Sequence, residues 1–308
     1  MSALRRSLAD YLGVRRALGF QLKRAGRLLD DFVTFVEENG AATVTTELAV
    51  RWATLPKGAQ PVWLSLRLGM VRGFARYLQS IDPHTEVPPV DLLPGRYHRV
   101  APFLYSNADI VALLVAARSL RSPLRAATYE CFTGLLAVSG LRVGEAMRLD
   151  RQDVDCTEGV LRVHKSKFGK SREVPLHAST VEALGAFADR RDRLCPRPSS
   201  SSFFVSATGA RLGHPVVQPA FQELLRRAGL DQAPTMRRPR LHDLRHTFAI
   251  KTLIGWYRDG LDVAARMPLL ATYLGHGDPA RTYWYLSAAP ELLAVCAGRL
   301  EAPGVVGP

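Results

Sequence analysis

Apolar residues recur at three- and four-residue steps along most of this chain, the spacing of amphipathic helices. In the first eighty residues this pattern predicts four helical segments, near 4–16, 21–38, 45–52 and 62–79. The last of these carries Arg67, Arg72 and Arg76 off its apolar stripe. The amino-terminal part is therefore predicted to be an all-helical module.

The pattern is interrupted where prolines gather and apolar residues become sparse. Residues 82–102 contain five prolines, which favour an extended, semi-rigid linker. We therefore predict a helical domain over 1–81 and a larger domain over 103–300. The glycines and prolines of 301–308 indicate a disordered tail.

Helical periodicity returns after the linker, with one short exception. Ser106 to Asp109 is typical of a helix cap, and helices are predicted near 110–117, 125–139, 141–149, 179–194, 219–228, 241–250, 269–274 and 290–300. Between them, Val160–His164 and Arg172–Leu176 flank a lysine-rich loop with a glycine and predict a β-hairpin. Residues 153–155 could add a third strand, and Phe203–Ser206 another short one. The predicted fold is mainly α with a small antiparallel β-sheet.

The net charge indicates what kind of partner this protein binds. The 308 residues carry a net charge of +13, and the sequence pI is about 10.1. Residues 1–80 alone hold twelve Lys and Arg against six Asp and Glu, a net +6. Such an excess favours a polyanion, and nucleic acid fits better than a membrane surface because no basic amphipathic helix exposes an aromatic face.

Other compositional features narrow the class of protein. No apolar run approaches the ~18 residues of a membrane span, and no signal core follows the first residues. Four scattered cysteines without a C-x-x-C pair argue for a reducing cytoplasm, no disulfide framework and no zinc site. We therefore expect a cytoplasmic, nucleoid-associated protein with no membrane partner.

Candidate chemistry is concentrated in the stretch Leu241–Ala249. His242 and Arg245 are three residues apart and share a helix face, with His246 bordering it. A guanidinium can grip two phosphate oxygens while an imidazole exchanges a proton. Taken alone, however, the stretch also fits a solvated polar helix face. Likewise, Arg142 and Glu145 could be a surface ion pair, and the lysine loop could simply be solvated.

The order of these segments is more specific than any one of them. An arginine box (Gly140–Glu145), the lysine hairpin, His-x-x-Arg, Leu-Gly-His and a later tyrosine follow one another. Over residues 103–300 this resembles the catalytic domain of the tyrosine recombinase (phage integrase) family. The preceding helices are similar to that family's core-binding domain, which implies that they bind DNA.

The resemblance implies a role for each matching residue. Six positions match the family's catalytic residues: Arg142, Lys167, His242, Arg245, His276 and Tyr285. Glu145 matches the acidic residue that supports the first arginine. The tyrosine would form a 3′-phosphotyrosyl bond, the arginines would clamp the phosphate, and Lys167 would protonate the leaving 5′ oxygen. No cofactor and no metal would be required.

The family also implies partners and alternatives. The expected partner is double-stranded DNA, with a homotetramer on DNA during synapsis, and the biological outcome would be integration, excision or transposition. Tyr283 rivals Tyr285, and Lys165 and Lys170 rival Lys167. The long stretch before His276 is similar to a transposon-borne subgroup in which sister recombinases act together. A type IB topoisomerase-like enzyme and a non-catalytic DNA-binding family member stay as alternative functions.

Overall fold

The computed structural model describes residues 2–95, 101–164, 171–231, 238–276, 278 and 280–288. The chain divides into two compact units, Met1–Val100 and Ala101–Pro308. The predicted last helix, over 290–300, and the tail over 301–308 lie outside the described residues. No described helix is both long and apolar enough to cross a membrane.

The described part of the first unit, residues 2–95, contains four helices, as the periodicity predicts. These are α1 (Ala3–Ala17), α2 (Lys23–Glu38), α3 (Thr46–Thr54) and α4 (Pro61–Gln79). Their apolar stripes meet in one core, in which Phe32 of α2 packs edge-on against Trp52 of α3. The helical character of this module is confirmed.

One of the three arginines of α4 differs from the sequence expectation. Arg67 is buried rather than off the apolar stripe: its guanidinium lies 3.7 Å from the centre of the Trp52 ring and donates to the Trp52 carbonyl at 2.9 Å. Arg72 donates to the carbonyls of Pro88 and Pro89 at 2.7 and 2.6 Å. Arginine can enter a core in this way because its flat, weakly hydrated head stacks on aromatic rings.

Residues 82–95 of the proline-rich segment contain no helix or strand and pack against the helices of the first unit. The Glu86 amide donates to the Val44 carbonyl at 2.9 Å, and Val87 and Leu93 lie against the helical core. The boundary between the compact units falls after Val100, inside the predicted linker. The described residues 82–95 therefore pack against the first unit. The assignment of 82–102 as a linker stays a prediction.

The second unit begins with three helices and a small sheet. The helices are α5 (Asn107–Arg118), α6 (Pro123–Ser139) and α7 (Val143–Arg148), and the strands are β1 (Val154–Asp155), β2 (Val160–Val163) and β3 (Arg172–Pro175). The strands pair antiparallel in the order β1-β2-β3, with Leu161 opposite Val174. Ser106 caps α5 through a reciprocal hydrogen bond with Asp109, as its sequence predicts. The mainly α fold with a small antiparallel sheet is confirmed.

The described residues after the sheet form five further helices: α8 (Ala178–Leu194), α9 (His214–Arg227), α10 (Leu241–Arg258), α11 (Val263–Leu274) and α12 (Ala280–Ala288). Helix α9 begins five residues before the predicted start at Pro219, which lies inside it. The strand predicted at Phe203–Ser206 is wrong, because only isolated bridges form there, at Ser202 and Val205. The carboxyl half of α10 packs with α11 and α12 around Leu253, Met267 and Tyr285.

Candidate active site

Arg245 joins the carboxyl ends of two helices. Its side chain, 2% exposed, donates from Nη1 to the Gly140 carbonyl and from Nη2 to the Leu274 carbonyl, both at 2.7 Å. Gly140 ends α6, and Leu274 is the last residue of α11. Helix carboxyl ends carry partial negative charge, so a buried cation is stabilised there. Burial and the neighbouring Arg142 nevertheless lower the pKa of Arg245 to about 10.

Arg142 reaches the same turn from the other side. It precedes α7, and its Nη2 donates to the Gly275 carbonyl at 2.8 Å, one residue after the carbonyl that Arg245 binds. Its Nη1 donates to Glu145 at 2.7 Å. Two predicted arginines that are a hundred residues apart in the chain thus converge on Leu274–Gly275.

Glu145 is a buried carboxylate shared by two arginines. It accepts from the backbone N–H and Nη1 of Arg142, and from Nη1 and Nη2 of Arg172 at 3.2 and 3.0 Å. Burial acts to raise the pKa of Glu145, but Arg172 and Arg142 outweigh it and lower this pKa to about 2. The carboxylate therefore stays ionised and holds both guanidinium groups.

Arg172 was missed by the sequence reasoning. It is the first residue of β3, and besides Glu145 it binds the Tyr273 carbonyl through Nε at 2.8 Å. The one sequence signal for Arg172 is its position just after the lysine loop. No local pattern predicts that it contacts Glu145, 27 residues earlier. The structure makes it the third arginine around the turn at residues 273–275.

Gly275 allows this convergence. It ends α11 with a φ of +67°, and a Cβ placed there would lie 2.7 Å from Nη1 of Arg172. Only glycine adopts that backbone without strain and also leaves room for the guanidinium. The predicted stop of the helix at Leu-Gly-His is confirmed, and its glycine also sets the position of His276.

The histidines and tyrosine lie beside the arginines. The Nδ1 of His276 is 2.7 Å from the Thr282 hydroxyl, and its ring stacks on that of Tyr285 with centres 6.2 Å apart. The Tyr285 hydroxyl lies 3.3 Å from Nδ1 of His246, a residue that was noted beside His242 but not assigned. Tyr285 is 2% exposed, whereas its rival Tyr283 is 48% exposed.

His242 lies one turn before His246 on α10, and their rings are 4.7 Å apart. Although part of the ring is open to solvent, the protein packed around it and the positive charge of Arg245 lower the pKa of His242 to about 4. At neutral pH this imidazole is therefore uncharged, a state in which one ring nitrogen accepts and the other donates.

The structure thus gathers most of the predicted site residues in one cluster, which we call the arginine–histidine cluster: Arg142, Glu145, His242, Arg245, His246, His276 and Tyr285. Lys167 and its rivals Lys165 and Lys170 lie outside the described residues. The cluster combines fixed cations, neutral imidazole and a phenol. It is suited to bind a phosphate and to move a proton at the phenol oxygen.

The Glu145 ion pairs predict a pH-dependent stability. Glu145→Gln is expected to lower the free energy of unfolding by about 3 kcal/mol at pH 7, because it leaves two partly buried arginines without their buried carboxylate. Since the folded-state pKa lies below the ordinary 4.5, the wild-type advantage is complete above that pH and disappears as the pH falls toward 2. Urea unfolding of both proteins across this range measures it.

A matched control is available in α9. Glu223 also contacts two arginines, Arg125 and Arg227, but its side chain is 27% exposed. Glu223→Gln should lower the free energy of unfolding by less than about 1 kcal/mol, the usual contribution of ion pairs near the surface. Equal losses from the two substitutions would contradict the role given to Glu145.

Comparison with known proteins gives the same picture. The model of the phage integrase family matches residues 105–291, more than half of the chain. The chain is 46% identical over 307 residues to y4rB of Sinorhizobium fredii (strain NBRC 101917 / NGR234), which carries the name integrase/recombinase, and the match covers 98% of each protein.

Two solved structures share the fold. The Tn1549 transposon integrase in complex with transposon right end DNA matches with a TM-score of 0.68 at 16% identity, over 98% of this chain and 100% of that one. A lambda integrase tetramer bound to a Holliday junction matches with a TM-score of 0.61 at 18% identity, over 92% and 76%. The family match and the relative at 46% identity establish that the chain belongs to the tyrosine recombinase (phage integrase) family.

Proposed function

We propose that this protein is a site-specific DNA recombinase that cleaves and rejoins DNA through a 3′-phosphotyrosyl intermediate on Tyr285. The observation that carries the proposal is the buried Tyr285 hydroxyl, 3.3 Å from a histidine nitrogen in the same cluster as Arg142 and Arg245. A tyrosine ester conserves the energy of the broken phosphodiester, so the strands can be rejoined without ATP.

The two arginines supply the charge that this reaction needs. A guanidinium has five N–H donors, and the backbone and Glu145 contacts given above use two on each. The remaining donors can bind the non-bridging oxygens of the phosphate. Because the positive charge of Arg142 lowers the pKa of Arg245, a phosphate between the two would be favoured further, and so would the extra charge of the pentavalent state.

Other residues take the roles that the family resemblance implies. His276 would bind a phosphate oxygen, held by Thr282 and by the helix end before it. Lys167 would protonate the leaving 5′ oxygen as cleavage proceeds. By the same resemblance His242, neutral at pH 7, would accept the tyrosine proton or orient the phenol. Glu145 would keep Arg142 in place.

The partners are proposed on the same basis. A net charge of +13 suits double-stranded DNA. The fold is shared with a lambda integrase tetramer on a Holliday junction and with a transposon integrase on transposon-end DNA. We therefore propose strand exchange within a tetramer on DNA, in the integration, excision or transposition of a mobile element, alone or with sister recombinases.

Covalent capture on DNA tests the proposal. The purified protein is incubated with nicked duplexes of random sequence, and DNA that stays attached after denaturation is sequenced. A recombinase should retain an enriched sequence motif. Retention without sequence preference, with relaxation of any supercoiled plasmid, would indicate a topoisomerase-like enzyme. Specific binding without a covalent product from any substrate would indicate a non-catalytic family member.

Binding should depend steeply on salt. Neutralising several phosphates releases counterions, so the affinity for a duplex is expected to fall by about 10³-fold between roughly 50 and 200 mM salt. Fluorescence anisotropy of a labelled duplex measures this, with unrelated duplexes as controls that should give a similar slope. An affinity that does not change with salt would argue against a phosphate-binding surface.

A further inference from the structure

The nucleophile contacts a histidine to which the family match gives no role. Within the part of the chain that the structure describes, the Tyr285 hydroxyl has a hydrogen-bond contact with Nδ1 of His246 at 3.3 Å, and His242 has none with Tyr285. His246 directly follows Arg245 on α10. The helix that fixes an arginine thus also fixes the imidazole next to the phenol.

The ring of His246 is held in place by its neighbours. Trp284 and Tyr285 of α12 lie edge-on to it with centres 5.5 Å away, and His242 lies edge-on at 4.7 Å. Edge-to-face contacts of this kind fix the plane of a ring. Nδ1 therefore points at the hydroxyl because of packing, and not because of one flexible contact.

We propose that His246 accepts the phenolic proton when Tyr285 attacks DNA, and so acts as a catalytic base in the function proposed above. In this step the phenol oxygen forms a bond to phosphorus and its proton passes to Nδ1. The bond from phosphorus to the 5′ oxygen breaks, and that oxygen takes a proton from the general acid or from water. Rejoining reverses each transfer.

The assignment requires one tautomer. Nδ1 can accept only when the other nitrogen, Nε2, carries the hydrogen. Among the described residues, His242 on its own helix and Tyr285 on α12 are titratable groups whose rings contact that of His246. His242 is uncharged at pH 7, so it adds no positive charge beside an imidazole that must take up a proton.

The first test uses matched substitutions and the captured DNA substrate. In His246→Asn the amide oxygen can still bind the hydroxyl but cannot take its proton, so the single-turnover cleavage rate should fall by about 10²- to 10⁴-fold. The acidic limb of the pH–rate profile should disappear, while the affinity for DNA is unchanged. Added imidazole should restore part of the rate in His246→Gly. His242→Asn should keep the acidic limb.

The opposite result would overturn the proposal. If His246→Asn cleaves at the wild-type rate with the wild-type pH profile, His246 takes no proton. If His242→Asn instead loses the acidic limb, the proton goes to His242. A loss of affinity for DNA equal to the loss of rate would show that His246 only supports the structure.

The second test does not depend on activity. The ¹⁵N spectrum of histidine-labelled protein reports whether Nδ1 of His246 is bare, and this signal should move in Tyr285→Phe. A protonated Nδ1 at pH 7 that is unaffected by Tyr285→Phe would overturn the proposal. If the spectrum fits but the wild type never forms a covalent adduct, the recombinase proposal fails and the contact between His246 and the phenol stands.

Discussion

Tyr285→Phe is expected to abolish covalent capture of DNA, with a fall in adduct formation of more than about 10⁴-fold. The phenol oxygen is the only atom removed, and the ring stays in the buried site among its aromatic neighbours. Loss of the hydrogen bond to His246 should cost about 1 kcal/mol of stability. A denaturing gel of protein mixed with the captured nicked duplex measures the adduct.

Tyr283→Phe is the matched control. It removes the same atom two residues earlier, from a side chain that is 48% exposed. Adduct formation by Tyr283→Phe should equal that of the wild type, and both variants should bind the duplex with wild-type affinity. An adduct that persists in Tyr285→Phe and vanishes in Tyr283→Phe would move the nucleophile to Tyr283. If each variant still forms the adduct at the wild-type level, neither Tyr285 nor Tyr283 is the nucleophile.

The features that could be predicted from the sequence are those set by a few neighbouring residues. Helix periodicity locates most of the helices of both units but not α12, and the glycine of Leu-Gly-His correctly marks the end of α11. The order of the motifs predicts Arg142, Arg245, His276 and Tyr285 as site residues. This is possible because each motif spans only a few consecutive residues. The structure then places these side chains around one turn.

The features that escaped prediction depend on contacts between distant segments. Arg172 binds Glu145 across 27 residues, and no periodicity relates a strand start to the helix turn that it meets. Arg67 looks polar in a helical pattern, yet Trp52 and its carbonyl make burial possible. His246 shares its helix with His242, but only the position of α12 decides which of the two imidazoles meets the phenol.

Arg245→Lys is expected to reduce the cleavage rate by about 10³-fold, although the positive charge is kept. A single ammonium cannot reproduce the fork that binds the Gly140 and Leu274 carbonyls and still presents donors to a phosphate. The same loss should lower the free energy of unfolding by about 2 kcal/mol. Single-turnover cleavage and urea unfolding measure the two effects separately.

Arg191→Lys separates these two effects. Arg191 is also buried, 5% exposed, and also donates to two backbone carbonyls, of Ser202 and Phe203. None of its contacts with described residues involves the arginine–histidine cluster. Its substitution should cost similar stability and leave cleavage within about threefold of wild type at temperatures where the protein stays folded. If both variants lose cleavage in proportion to stability, Arg245 holds helix ends together. If only Arg245→Lys loses cleavage activity, the guanidinium of Arg245 acts on the phosphate itself.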